Sequence, residues 1–272
     1  MTKKILTSFL IFSTFLFFNA PPVFAATNTY AIDLERDGTD FLSIADASQT
    51  GLDLAGDFSI CTSFKQESAQ TGALVGKGTD TGSQIAYHFW ISGGKPALDV
   101  SSDGTTNAGQ FLRFSTDAEQ SANGSFKSLC VTFDIDGEAA VFYTDGSSVA
   151  SSLTFGSAIG ATLKDSTAAF QIGTDGHVGG PLDGIFDEVS VWNITLSAAN
   201  ITSYYNSCLN GDETGLVGYW RFENDYADTT ANNNDLTANG ASPAPTFVTD
   251  PAFACAGGAA ATKKIPDLIW FW

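Results

Sequence analysis

The chain has 272 residues, with 30 Asp and Glu against 12 Lys and Arg, for a formal net charge of −18. A surface so acidic and so poor in lysine repels phosphate backbones and anionic headgroups, which excludes nucleic acid and anionic lipid as partners. The 22 Phe, 7 Tyr and 5 Trp are enough apolar material for one large domain.

In chain order, Lys3 and Lys4 precede an apolar run over 5–18, and Val23, Phe24 and Ala25 form a small-residue cleavage site. Residues 1–25 therefore read as a secretory signal peptide, with an apolar run short of the roughly 20 residues that span a bilayer. The mature chain is expected to be secreted or cell-surface, without a stable membrane span, and residues 26–255 to form one domain. Within it, short apolar or alternating runs are separated by Gly, Asn, Asp and Ser clusters. They are FLSIAD, DFSICTSFK, GALVGKG, IAYHFWIS, PALDVSS, FLRFST, KSLCVTFDI, AAVFYTDG, FQIG, IFDEVSVW and LVGYWRFE. This pattern predicts an all-β sandwich or barrel. Asp136-Gly137 and Asp145-Gly146 supply hairpin turns. One short helix is predicted from the N-cap Ser197, with Ile201, Tyr204, Tyr205 and Cys208 on one face, plugging the sandwich edge. Residues 256–272 read as a linker and a short apolar tail. Its IPDL start resembles bacterial sorting signals but lacks the apolar helix and basic residues that follow in those, as from a truncated frame or by chance.

Four cysteines in an exported chain imply two disulfides, with three connectivities open to the sequence. Cys61–Cys130, joining two strand-like runs, and Cys208–Cys255, stapling the chain end to the helix, are favoured. No Cys/His spacing fits zinc.

Two adjacent acids, Asp187 and Glu188, interrupt the apolar run IFDEVSVW. Strict alternation puts Asp187, Val189 and Val191 on one face and Phe186, Glu188, Ser190 and Trp192 on the other. The segment LDGIFDEVSVWNITLSAANI, followed by GLVGYWRFEN and DTTANNNDLT, resembles the laminin-G-like and pentraxin-like branch of the concanavalin A-like lectin/glucanase superfamily. YAIDLERDGTDFLSI resembles the family's first strand and turn, and the setting of Cys61 and Cys130 resembles the intersheet disulfide of pentraxins. The resemblance covers about residues 28–250. It implies an antiparallel jelly-roll β-sandwich with one short helix, often with Ca2+ at a sheet rim. Carried over, Asp187 is the side-chain ligand of a structural calcium, completed by carbonyls near Gly56 or from the ERDGTD turn. The alternative is that Asp187 caps backbone amides or pairs with Arg36 or Lys65. Asp175 and Asp80 occupy loops that carry further pentraxin calcium ligands, without the neighbouring acid-and-amide cluster. The order of the segments, with GLVGYWRFEN near the end, implies that LVGYWRF returns to pair with the first strand, or else that it begins a second, truncated repeat.

The same superfamily includes glycoside hydrolases whose retaining chemistry needs two closely spaced carboxylates. Their Glu-x-Asp-x-x-Glu run is absent, and Asp33, Glu35 and Asp37 alternate in DLERD without supplying that spacing. With no Gly-x-Ser-x-Gly elbow either, the expectation is a non-catalytic module. In IAYHFWIS, Ile85, Tyr87, Phe89 and Ile91 fall on one face, leaving His88 and Trp90 to look out over the concave sheet with His177 nearby. These three are the candidate ligand-binding residues, unless Trp90 is buried between the sheets as Trp192 and Trp220 are expected to be. The partner is then a glycan or an extracellular protein.

Overall fold

A computed structural model describes residues 27–121, 124–241, 244–253 and 255. The signal segment and the tail from 256 lie outside them. The strands are β1 Ala31–Leu34, β2 Phe41–Ile44, β3 Phe58–Gln66, β4 Thr71–Lys77, β5 Tyr87–Ser92, β6 Lys95–Ser101, β7 Phe111–Thr116 and β8 Phe126–Asp134. After them come β9 Ala139–Thr144, β10 Ser147–Val149, β11 Ser151–Phe155, β12 Phe170–Ile172 and β13 Gly184–Trp192. Helix α1, Ala198–Tyr204, precedes β14 Leu216–Trp220, β15 Thr237–Asn239 and β16 Thr246–Val248.

The strands form two antiparallel sheets, the sandwich that alternating apolar runs require. The first has the order β10-β9-β8-β3-β13-β1-β16, with β14 also paired to β13; the second is β11-β7-β6-β5-β4-β12-β2-β15. Alternate side chains of both sheets meet in one core, where Phe58 packs on Tyr87 and Phe133, and Phe170 stacks on Trp220 at 5.2 Å. All eleven runs quoted above form strands. Asp145 and Gly146 both take positive φ, 49° and 78°, as a two-residue hairpin turn from β9 to β10 requires.

β13 organises the first sheet, because it pairs along its whole length with β3 while its other edge is shared. β1 takes Gly184–Phe186 and β14 takes Val189–Trp192, so LVGYWRF pairs with β13; it is β16 that lies beside β1. A β-bulge falls between Asp187 and Ser190 opposite β3, with Glu188 at φ 51°. The extra residue breaks strict alternation. Phe186, Val189 and Val191 all face the core, whereas Trp192 packs on the outer side of the sheet. The expectation that Trp192 lies between the sheets is therefore corrected.

On that outer side α1 begins where Ser197 accepts the backbone N–H of Asn200 at 3.2 Å, as a Ser N-cap should. It ends at Tyr204, since Asn206 turns into the left-handed region at φ 56°. It covers the outer sheet face as far as the β10 edge: Ile201 and Tyr204 pack on Trp192, with the Tyr204 and Trp192 rings stacked at 5.4 Å, and Thr202 Oγ1 donates to the Gly146 carbonyl in the turn before β10. After β14, Asp228 accepts the N–H groups of Tyr219, Thr230 and Asn234, and Asn234 accepts Trp220 Nε1–H. The polar stretch DTTANNND is thus a hydrogen-bonded loop that clamps the core Trp220.

Both favoured pairings are present; Cys61–Cys130 joins the neighbouring strands β3 and β8 within the first sheet, which corrects the intersheet placement the resemblance implied, and Cys208–Cys255 joins the segment after α1 to the one after β16. The first spans 69 residues of sequence. The Cys61→Ser/Cys130→Ser variant should lose about 4 kcal/mol of unfolding free energy by chain entropy, read from its denaturant midpoint. An unchanged midpoint would show that the bridge does not restrict the denatured chain.

Candidate binding site

The second sheet buries one face in the core and offers the other outward. Because Tyr87, Phe89 and Ile91 of β5 enter the core, His88 and Trp90 point out, as alternation predicts. Strand register then lines up a row across four strands: His88 of β5 is opposite Asp99 of β6, Asp99 opposite Arg113 of β7, and Arg113 opposite Phe155 of β11. Arg113 grips Asp99 in a two-pronged pair, Nε donating to Oδ1 at 2.7 Å and Nη2 to Oδ2 at 2.6 Å. Its guanidinium also lies 5.0 Å from the Trp90 ring and 5.6 Å from the Phe111 ring.

The glycine-rich loop after β12 folds over this row. Asp175 Oδ1 accepts the N–H groups of His177 and Val178 at 2.8 and 2.7 Å, fixing the turn. Its Oδ2 pairs with His88 Nδ1 at 2.5 Å. A Cβ on Gly76 would come within 2.7 Å of that same nitrogen, so only glycine leaves room for the buried imidazole. His177 bridges Asp80, through Nδ1 at 2.6 Å, and Asp99, through Nε2 at 3.0 Å, and its ring centroid is 4.9 Å from that of His88. Burial alone would push the Asp99 and Asp175 carboxyls up. Arg113 and His177 outweigh it at Asp99, and His88 with two backbone amides outweighs it at Asp175, so both lie below the ordinary value. Burial lowers His177, but Asp99 and Asp80 prevail and raise it. With carboxylates on both nitrogens it is an imidazolium. Beside His177 opens a cleft of about 340 Å³ lined by Asp80, Ser83, Ile85, Gly104, Thr105 and Thr106.

Asp187 and Glu188 lie on the opposite side of the molecule, where β1 and β14 diverge along β13. The bulge puts both on the outer side of the first sheet. Asp187 Oδ2 accepts Asn28 Nδ2–H at 2.9 Å and the Ala252 backbone N–H at 2.8 Å; neither Arg36 nor Lys65 reaches it, being held by Gln70 and Asp250. Glu188 accepts the Tyr219 hydroxyl and faces Arg221 Nε at 3.8 Å. Burial, with Glu223 adding to it, pushes Asp187 up to about 7, and burial plus the Asp187 charge pushes Glu188 up to about 8. Among the described residues two buried oxygens here have no hydrogen-bond partner, Oδ1 of Asp187 and Oδ1 of Asn28.

Comparison with known proteins gives the architecture a place. A laminin G family model, described as the concanavalin A-like lectin/glucanases superfamily, matches residues 36–202. The chain belongs to the concanavalin A-like lectin/glucanase superfamily. No curated protein matches it in sequence. Among solved structures, a Bacteroides ovatus protein described as carbohydrate-binding superposes with TM-score 0.58 at 14% identity, over 85% of this chain and 62% of that one. The chain thus spans less than two thirds of that relative's length. A heptameric SAP-like pentraxin from Limulus polyphemus gives TM-score 0.51 at 14% identity, over 79% and 96% of the two chains. The CBM40 of a Ruminococcus gnavus IT-sialidase, bound to α2,3-sialyllactose, gives 0.50 at 15%, over 66% and 99%. At these identities the likeness is one of fold.

Within this superfamily sandwich the predicted residues divide between two places. Asp80, Asp175, His88, His177 and Trp90 come together on the second sheet, so Asp80 and Asp175 belong to the histidine network and not beside Asp187. Gly56 is also apart from Asp187: Asp187 pairs with Ser63, whereas Gly56 precedes the far end of β3, which begins at Phe58. The ERDGTD turn lies beyond Leu34, which is opposite Gly184, and so does not reach Asp187 either. The sequence reading missed Asp99, Arg113, Phe111 and Phe155, although PALDVSS and FLRFST each place one charge amid apolar residues, the available signal. A separate acidic cluster, Asp33, Glu35 and Glu67, brings ligand oxygens within 4.8 Å of one another and could hold a cation. Burial raises all three carboxyls, with neighbouring acids adding to it.

Asp187 and Glu188 hold their protons more tightly folded than unfolded, where ordinary values near 3.8 and 4.5 apply. Their contribution is therefore complete below about pH 4 and is lost as pH rises towards 7 to 8. Chelator-treated protein should melt several degrees lower at pH 8 than at pH 5. Asp187→Asn, which keeps the shape without the charge, should remove about half of that slope and Glu188→Gln most of the remainder; a slope unaltered in both variants would place the proton elsewhere, with His177 the next group to test.

Proposed function

We propose that the chain is a secreted, non-catalytic module that binds carbohydrate on the outer face of its second sheet. The observation that carries this is the row His88–Asp99–Arg113, roofed by His177 and flanked by Trp90 and Phe111. It joins fixed polar groups to aromatic surface, the combination that ligand sites use for orientation and contact area. Solved structures of the same fold, described as carbohydrate-binding or bound to a sialyllactose, support the reading by analogy. The non-catalytic part rests on electrostatics. A glycosidase acid needs its pKa raised so that it can donate a proton. Here Asp99 is held low by Arg113 and His177, and Asp175 by His88 and two backbone amides, which suits orientation and not proton transfer.

Calcium belongs to the other side of the sandwich in this proposal. The donor chemistry at Asp187 suits a hard cation: two unpartnered buried oxygens on hydrogen-bonded side chains, near Glu188 and Glu223. Asp187 and Asn28 would hold the ion, whose charge would neutralise the buried carboxylate. At 1 mM calcium and a Kd of about 10 µM the gain would be roughly 2.7 kcal/mol, on the order of 5 to 10 °C in Tm for a domain of this size. Asp187→Ala should abolish the calcium response.

A glycan array on residues 26–255, in calcium and in EDTA, tests the binding reading. Binding to a defined sugar class that falls roughly tenfold or more in Trp90→Ala supports it. A blank array in both conditions turns the assignment to extracellular protein contact, as in adhesion.

A further inference from the structure

The second sheet ends in an edge strand, β11, whose Phe155 is 46% exposed, an unusual state for a large aromatic side chain. Its place is fixed on both sides. Register sets it opposite Arg113, so it shares the outer face, and its ring meets Phe111 edge-on at 6.0 Å. The next residue, Gly156, has φ 91°, and a Cβ there would collide with the Phe111 carbonyl, so the chain turns away directly after Phe155. Trp90 and Phe155 therefore stand at the two ends of a path that crosses β6 and β7. Three strand spacings separate their strands, about 14 Å. Between them the floor is small or polar: Ala97 is opposite Trp90 and Ser115, and Ser115 is opposite Ser152.

The charges along this path are already matched. Arg113 spends Nε and Nη2 on Asp99, and His177 has a carboxylate on each ring nitrogen. An incoming carboxylate would reach His177 only by displacing Asp80 or Asp99, and at Arg113 would meet a charge that Asp99 already matches, on a chain with a net charge of −18. A hydroxyl, by contrast, can accept from Arg113 Nη1, which has no partner among the described residues, without bringing a second negative charge beside the buried Asp99. Two aromatic surfaces joined by a shallow floor with matched charges suit a run of uncharged rings.

We infer that this face takes a neutral oligosaccharide laid across the strands from Trp90 to Phe155, with Phe155 the platform for the ring furthest from His88. The inference rests on the carbohydrate reading above and adds to it a chain length, a direction and a charge class. Phe155 touches ligand only when the ligand is longer than one ring.

Titration calorimetry with neutral gluco-, manno- and galacto-oligosaccharides graded from monosaccharide to hexasaccharide tests it, with lactose and α2,3-sialyllactose as the charge pair. Affinity should climb over the first few rings and then level off. Phe155→Ala, on an exposed side chain with melting unchanged, should weaken the longer ligands roughly five- to tenfold and leave the monosaccharide unaffected. Phe155→Trp should restore the loss, whereas Trp90→Ala should weaken every length. Affinity independent of length, indifference to Phe155→Ala, or tighter binding of sialyllactose than of lactose would overturn the inference while leaving sugar binding at Trp90 in place. Binding that ignores Trp90→Ala, or no binding to any sugar, would overturn the site itself and this inference with it.

Discussion

The first sheet depends on one local constraint, the extra residue in β13 at Glu188. A non-glycine residue in the left-handed region is costly, and here it persists because surrounding pairing fixes it from both edges. β3 runs the full length of one edge, and β1 and β14 meet the two halves of the other. The bulge sits where those halves part, which is the one place along the strand where two acids find polar neighbours and not another ladder. It also shifts phase, so Phe186 and Val189 serve the core on either side of it while Trp192 anchors α1 outside. One inserted residue thus accounts for the acids in an apolar run, the second hydrophobic cluster and the seat of the helix.

The second sheet is governed by a different balance. Asp99 is fully buried and would be costly alone, but Arg113 and His177 surround it with charge-assisted hydrogen bonds. The network ties strand to strand and loop to sheet, so the face is fixed before any ligand arrives. A preformed polar frame carries less ordering cost on binding than mobile side chains do. In the proposed function the two sides of the sandwich divide the work: the β13 side holds buried acid that favours neutralisation, and the β5–β7 side holds matched charge that would orient a ligand.

What the sequence displays depends on how strongly each segment is buried. The eleven runs that read as strands have apolar residues at alternate or consecutive positions because the core demands it. The unread strands β10, β11, β15 and β16 are the four sheet edges, short and largely polar, with little core to impose a pattern. The outward turn of His88 and Trp90 was likewise legible from strand alternation, whereas the favoured disulfide pairings formed one of several connectivities the sequence left open. Alternation failed at Glu188, because a bulge leaves no mark in residue type. The grouping of Asp80 and Asp175 with the histidines was hidden for another reason. It arises from loops about a hundred residues apart brought together by register, and the resemblance to calcium-binding relatives pointed those acids elsewhere. Asp99 and Arg113 carried a local signal, a lone charge in each of two adjacent apolar strands, whose meaning appears only once β6 and β7 are seen to be neighbours.

The claim that these two sides have separate roles is tested most directly by following backbone amide and tryptophan indole resonances during titration with a neutral oligosaccharide. The account predicts shifts at the Trp90 indole and along His88, Asp99, Arg113 and Phe155, with the Trp192 indole beneath α1 unmoved. Shifts centred on Trp192, Tyr204 and the β13 bulge, with the β5–β7 face silent, would contradict it.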